Sequence, residues 1–142
     1  MAMFRCGGGS GVKPMTFTGF SVTIQKKGTD DSARFWLGGG AVLPFPVDGY
    51  KKVNVNNLTL TSDNDHGYTA MFAYLEASSD RSAWKTLATI TKADSESTVS
   101  ASKEVDVSNY KYFRIRLQLG SSWYNGKPEP RAVMTITSVT LS

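Results

Sequence analysis

The segment YFRIRLQL (112–119) alternates apolar and polar side chains without a break, and the same period of two recurs along the chain where helical spacing does not. A strand sends successive side chains to opposite faces, so such a segment needs one apolar neighbour and tolerates water on its other side. TFTGFSVTIQ (16–25) places Phe20, Val22 and Ile24 on one phase. GYKKVNVNNLTLTS (49–62) places Val53 and Val55 on one phase and Leu58 and Leu60 on the other, which predicts a β-bulge at Asn56-Asn57. YTAMFAYLEA (68–77) carries bulk on both phases, with Met71, Ala73 and Leu75 against Phe72 and Tyr74, and is expected to be covered on both sides or to lie against a neighbour. AVMTITSVTLS (132–142) slips phase from Met134 and Ile136 to Val139 and Leu141. ARFWLGGGAVLPF (33–45) reads as one further strand, and KADSESTVSASK (92–103) as a loop with a short strand around Val99. About eight strands at this spacing predict an all-β fold, an antiparallel β-sandwich of jelly-roll type. It is expected to occupy residues 15–142 as a single domain, behind a Gly-rich N-terminal arm over residues 1–14.

Composition narrows the function more than it defines it. Sixteen basic and 12 acidic residues leave a net charge of +4, too small and too scattered to point to nucleic acid. Cys6 is the single cysteine, which excludes an intramolecular disulfide and a cysteine-based zinc site within one chain. The opening MAMFRCGGGSG lacks the apolar run of a cleaved signal. The longest uncharged stretch, FWLGGGAVLPFPV (35–47), is broken by three Gly and two Pro and is too short to span a bilayer, so membrane insertion is not expected.

No motif supplies chemistry. His66, the only histidine, sits in an acidic loop with Asp63 and Asp65, and no spacing joins it to a nucleophile. Asp63 does not open a calcium-binding EF-hand loop, because the twelfth position is Tyr74. GGGSGVKP (7–14) lacks the spacing of a phosphate-binding loop, and Glu76, Glu96, Glu104 and Glu129 are scattered rather than paired for glycoside hydrolysis. No catalytic residue, cofactor or metal site is expected. Lys111, Arg114 and Arg116 with Tyr112 read as the solvated outer phase of a strand. Trp123, Tyr124 and Asn125 in the loop GSSWYNGKPEPR, together with Trp36, are the candidate contacts for a glycan or a protein interface, because planar aromatic rings stack on sugars and anchor interfaces. Met3, Phe4, Arg5 and Cys6 are a candidate assembly arm, with the glycines as its hinge.

EASSDRSAWKTLATIT (76–91) leaves two roles open for its tryptophan, a ligand-binding tip or a core plug. YLEASSDRSAWKTLATI and KEVDVSNYKYFRIRLQL together resemble the second half of discoidin-like (coagulation-factor type C) domains of the galactose-binding-like superfamily. The likeness is carried by Ser78, Asp80, Trp84, Leu87, Tyr112, Phe113, Arg114 and Leu117, with VMTITSVTLS as the closing strand. It covers residues 70–142, whereas the first half has no Trp-x-x-Asp-Leu-Gly element. The resemblance implies a sandwich whose ligand residues lie on variable loops at one end, and it makes Trp84 a buried core residue beside the Phe113 strand. The opening MAMFRCGGG is similar to the start of small proteins encoded among tail or other virion genes of phages and prophages. This second resemblance implies a non-enzymatic virion protein on the tail, baseplate or capsid surface, with other virion proteins and copies of itself as partners. The rival expectation is a carbohydrate-binding module that attaches to cell-surface glycans.

Overall fold

Strands with one apolar phase need a second apolar surface, and this chain supplies it by laying two antiparallel sheets face to face. The structure is a computed structural model that describes residues 13–25, 33–36, 40–62, 70–93, 95–119, 121–124 and 131–142. One sheet has the order β1 (Met15–Gln25), β10 (Arg131–Leu141), β4 (Lys52–Ser62), β7 (Thr98–Asp106). The other has the order β3 (Gly40–Pro46), β8 (Tyr112–Leu119), β5 (Met71–Ser78), β6 (Lys85–Lys92). A separate ribbon pairs β2 (Ala33–Trp36) with β9 (Ser121–Tyr124). Counted over the eight strands of the two sheets, the order is first-eighth-third-sixth against second-seventh-fourth-fifth, which is the jelly roll. Among the described residues there is no helix long and apolar enough to cross a membrane.

The core lies between the sheets. Phe45, Phe113 and Ala77 form one row across β3, β8 and β5, and Ile115 pairs with Leu75 in the next. Phe17 and Phe20 of the opposite sheet reach across to Phe45, with ring centroids 5.3 and 5.6 Å away, the second edge-on. Val53, Val55, Leu58, Leu60, Met134 and Ile136 close the floor, all buried. Two similar corners carry the chain between sheets. In Val47-Asp48-Gly49-Tyr50 the Tyr50 amide donates to the Val47 carbonyl, and in Val107-Ser108-Asn109-Tyr110 the Tyr110 amide donates to the Val107 carbonyl, at 2.9 Å each.

The phase slip of β4 belongs to a line of irregularity that crosses three strands. Along the register of β1, β10 and β4, Gly19, Thr137 and Asn57 fall at one level, and both Gly19 (φ 80°) and Asn57 (φ 52°) take the left-handed backbone. All three strands shift phase together there, so their mutual pairing is unbroken while their apolar side chains stay inward. β7 has no matching extra residue. The shift therefore appears between β4 and β7, where Val55 pairs with Lys103 but Leu58 with Ala101, and the Asn57 amide donates to Ser102 Oγ at 2.9 Å. The slips at Asn56-Asn57 and in the terminal strand are one feature.

Three sequence expectations change. The segment 33–45 divides into β2 and β3, which belong to different sheets. The short strand expected around Val99 runs longer than expected, as the nine-residue strand β7, whose small Thr, Ser and Ala side chains pair along β4. β9 occupies the start of what reads as a loop after residue 120.

Candidate functional site

The turn between β5 and β6 is built by two short polar side chains. Ser78 Oγ accepts from the amides of Asp80 (3.1 Å) and Arg81 (2.8 Å), and donates to Asp80 Oδ1 (3.1 Å). Asp80 Oδ1 in turn accepts from the amides of Ser82 (2.8 Å) and Ala83 (3.0 Å). The hydrogen bonds from the Ala83 and Ser82 amides and from Ser78 hold the Asp80 carboxyl below its ordinary range. Arg81, at the apex, has φ 65°, a conformation that costs a non-glycine residue about 1 kcal/mol or more.

This turn does not send Trp84 into the core. Trp84 is half-buried and lies on the outside of the second sheet, where the Arg114 guanidinium sits 4.1 Å from its ring centre and its Nε1–H donates to the Arg81 carbonyl at 3.2 Å. The cause is a second bulge: Leu75 pairs with Ala88, but Glu76 pairs with Thr86, so β6 carries Leu87 as an extra residue. Thr86 thereby shares the outward phase of Glu76, to which it donates at 3.2 Å, and Trp84, two residues earlier, follows it outward. The expectation of a buried Trp84 is corrected by that one inserted residue.

The outer face of the second sheet is a network of arginines, aromatic rings and one buried carboxylate. Glu76 is 4% exposed. It accepts from Arg114 Nε (2.7 Å), Arg116 Nε (3.2 Å) and Arg116 Nη2 (3.1 Å). Burial pushes the Glu76 carboxyl up, but hydrogen bonds from Arg116 and Arg114 and their charges outweigh it, so the group lies below the ordinary glutamate value. Arg116 also donates from Nη1 to Gln118 (3.0 Å) and covers the Tyr74 ring at 4.4 Å, and Tyr74 stacks on Phe72 with planes 13° apart. The expected cover over both faces of β5 is therefore supplied on the outside by arginine stems and rings, not by a third layer.

At the end of this network, next to the β5–β6 turn, lies a cavity of about 330 Å³ lined by Pro44, Pro46, Arg81, Trp84, Tyr112 and Arg114, with Phe45 and Phe113 behind them. Pro44 and Pro46 take the outer phase of β3, an edge strand that tolerates proline because no neighbour needs its amide. The Arg81 guanidinium lies 5.0 Å from the Tyr112 ring centre. Rigid rings, prolines and two guanidiniums around a space of this size meet the general description of a small-ligand site, mostly apolar with a few placed polar groups and about 300–1,000 Å³ in volume.

The sequence candidates fall elsewhere. Trp36 and Trp123 belong to the paired strands β2 and β9, where Trp36 is opposite Ser121, Arg34 opposite Trp123 and Ala33 opposite Tyr124; their side chains are outside the described residues. Asn125, His66, Asp63, Asp65 and the arm residues Met3, Phe4, Arg5 and Cys6 also lie outside them. Sequence reasoning passed over Arg81, Pro44 and Pro46, and assigned Arg114 to solvent. The available signal was the proline alternation in LPFP and, separately, the outward arginines of YFRIRLQL; that the two strands are neighbours comes from the fold.

No family model matches the chain, and no curated protein matches it in sequence. Among solved structures it is similar to the K2 cleaved adhesin domain of Lys-gingipain, at 12% identity and TM-score 0.48, over 95% of this chain and 91% of that one. It is similar to a CBM4 carbohydrate-binding module at 12% identity and TM-score 0.49, over 87% of this chain and 71% of that one. A decameric BFDV capsid protein follows at 6% identity and TM-score 0.43, over 92% and 99%. At these identities and scores the likenesses carry no assignment of family, ligand or partner.

Proposed function

We propose that the protein is a non-enzymatic binding protein with a galactose-binding-like sandwich of discoidin type, displayed on a phage particle and meeting cell-surface glycans through the cleft beside Trp84. The single observation that carries the binding reading is the cleft itself: Trp84 and Arg81 on a turn locked by Ser78 and Asp80, beside Tyr112 and Arg114 of β8. Half-exposed aromatic rings offer flat apolar area to the faces of sugar rings, and guanidiniums offer donors to their oxygens. The locked turn means that little conformational freedom is lost on binding.

The virion half of the proposal rests on the opening MAMFRCGGG and on its likeness to proteins of phage tail modules. Met3, Phe4, Arg5 and Cys6 then dock to other virion proteins, the glycines act as a hinge, and residues 15–142 form the displayed domain, which assembles with copies of itself. The aromatic candidates Trp36, Trp123, Tyr124 and Asn125 remain a second glycan or interface surface in this reading.

A glycan array probed with oligomerised protein tests the binding half, since multivalent display adds about 10²- to 10⁴-fold in avidity. The expected result is binding that Trp84→Ala abolishes; a silent array rejects it. Mass spectrometry of purified particles tests the other half, and failure to find the protein there rejects display on a virion.

A further inference from the structure

We propose that the ligand of this cleft is an acidic saccharide whose carboxylate is taken by Arg81. The inference rests on the glycan reading above and adds the charge class of the sugar.

Three guanidiniums stand on this face, and they are committed to different degrees. Arg116 donates from Nε and Nη2 to Glu76 and from Nη1 to Gln118, so each of its three nitrogens is engaged within the fold. Arg114, which also lines the cleft, gives Nε to Glu76 and spreads over Trp84, and its terminal nitrogens make no hydrogen bond among the described residues. Arg81 makes no side-chain hydrogen bond and no ion pair among the described residues, although it is exposed, stacks on Tyr112 and lines the same cleft. Glu76 is turned to Arg114, Arg116 and Thr86, and Asp80 Oδ1 is occupied by the Ser82 and Ala83 amides and by Ser78. The cleft is lined by two guanidiniums, Arg81 and Arg114, and, among the described residues, by no carboxylate. A planar guanidinium with its donors unspent is suited to bidentate pairing with a carboxylate.

The backbone sharpens the choice of Arg81. A turn whose apex has φ 65° is most easily built with Gly or Asn, and Arg is a costly residue there. Its backbone amide does the structural task by donating to Ser78 Oγ, which any residue but proline can do, so the side chain is what distinguishes Arg at this position. A strained residue held beside a cleft is a pattern found at binding sites. An acidic peptide offers the same carboxylate, but the flat ring of Trp84 and the rigid prolines favour a saccharide ring seated between them.

The test is an array that carries each saccharide in an acidic and a charge-free version: uronic acid oligomers with their carboxyl-reduced counterparts, and sialylated glycans with their desialylated cores. Oligomerised full-length protein and its Arg81→Gly variant are compared, with thermal unfolding of both. The expected result is binding to acidic members that is about 10- to 100-fold stronger than to their neutral partners, the effect of one charge-assisted hydrogen bond. Arg81→Gly should remove that preference while its Tm stays level or rises, since glycine relieves the left-handed strain. Equal binding to both versions overturns the acidic-sugar inference and leaves the glycan reading standing. An array silent in every position overturns the glycan reading itself. Retained preference in Arg81→Gly overturns the role of Arg81, and tighter binding to a poly-glutamate peptide than to any sugar overturns the saccharide in favour of an acidic peptide.

Discussion

The two sheets share one core but present opposite chemistry to solvent. The outer face of the first sheet is mostly short neutral side chains in rows, such as Ser21, Thr135, Thr59 and Ser100 across all four strands, or Thr16, Thr140 and Asn54, a row that ends in Glu104 on β7. Its hydroxyls and amides bond to one another, as in Thr59 with Ser100 at 2.7 Å and Asn56 with Ser138 at 2.9 Å. The outer face of the second sheet carries Glu76, three arginines and the rings of Phe72, Tyr74, Trp84 and Tyr112. The first face is bonded mainly through small groups, with the exposed Lys52–Glu104 pair (3.2 Å) at its β4–β7 side. The second is bound into a network that ends in a cleft. The difference teaches that β-propensity and burial alone do not explain the second face, because Thr and Ser satisfy both on the first.

The largest effect that should separate the faces is at Glu76. Removing it as Glu76→Ala leaves Arg114 and Arg116 beside apolar rings without a counter-charge, and the expected cost is about 3 kcal/mol in urea unfolding, the low end for breaking a buried ion pair because both arginines keep some contact with water. A loss below about 1 kcal/mol would make the network mere surface decoration. Trp84→Ala comes next. Trp84 is half-buried and covered by one guanidinium, so about 1–2 kcal/mol is expected, well short of the 3–5 kcal/mol for a fully buried aromatic. The larger figure would return Trp84 to the core.

Acid should distinguish the faces as well. The folded state holds the Glu76 carboxyl below the ordinary value of 4.5, so its contribution is complete above that value and is lost as pH falls through the folded one. Glu76→Gln is therefore expected to be less stable than the wild type at pH 7, with the gap narrowing below about pH 4.5. A gap that stays constant with pH would contradict the ion-pair account. The smallest effect belongs to the first face, where Thr59→Ala should change stability by no more than about 0.5 kcal/mol.

The alternation of the strands made the sandwich legible, including the slip at Asn56-Asn57, because one buried face fixes the phase of every residue along a strand. The candidate site was not legible. Leu87, one inserted residue in β6, reverses the phase of Trp84, and nothing in TLATIT marks which residue is the extra one. Arg114 and Arg116 could be placed outward but not matched to Glu76, since their partner lies on a neighbouring strand whose register only the fold supplies. Arg81 reads as an ordinary turn residue until its positive φ and the Tyr112 ring beside it are seen together.

The central claim, that the cleft beside Trp84 is where this sandwich meets a ligand, is tested most directly by following the indole N–H signals of the three tryptophans by NMR while an array-selected glycan is added. The expected result is a saturable shift of the Trp84 signal, whether or not Trp36 and Trp123 also move. Movement of Trp36 or Trp123 with Trp84 unchanged would contradict the claim and return the site to β2 and β9.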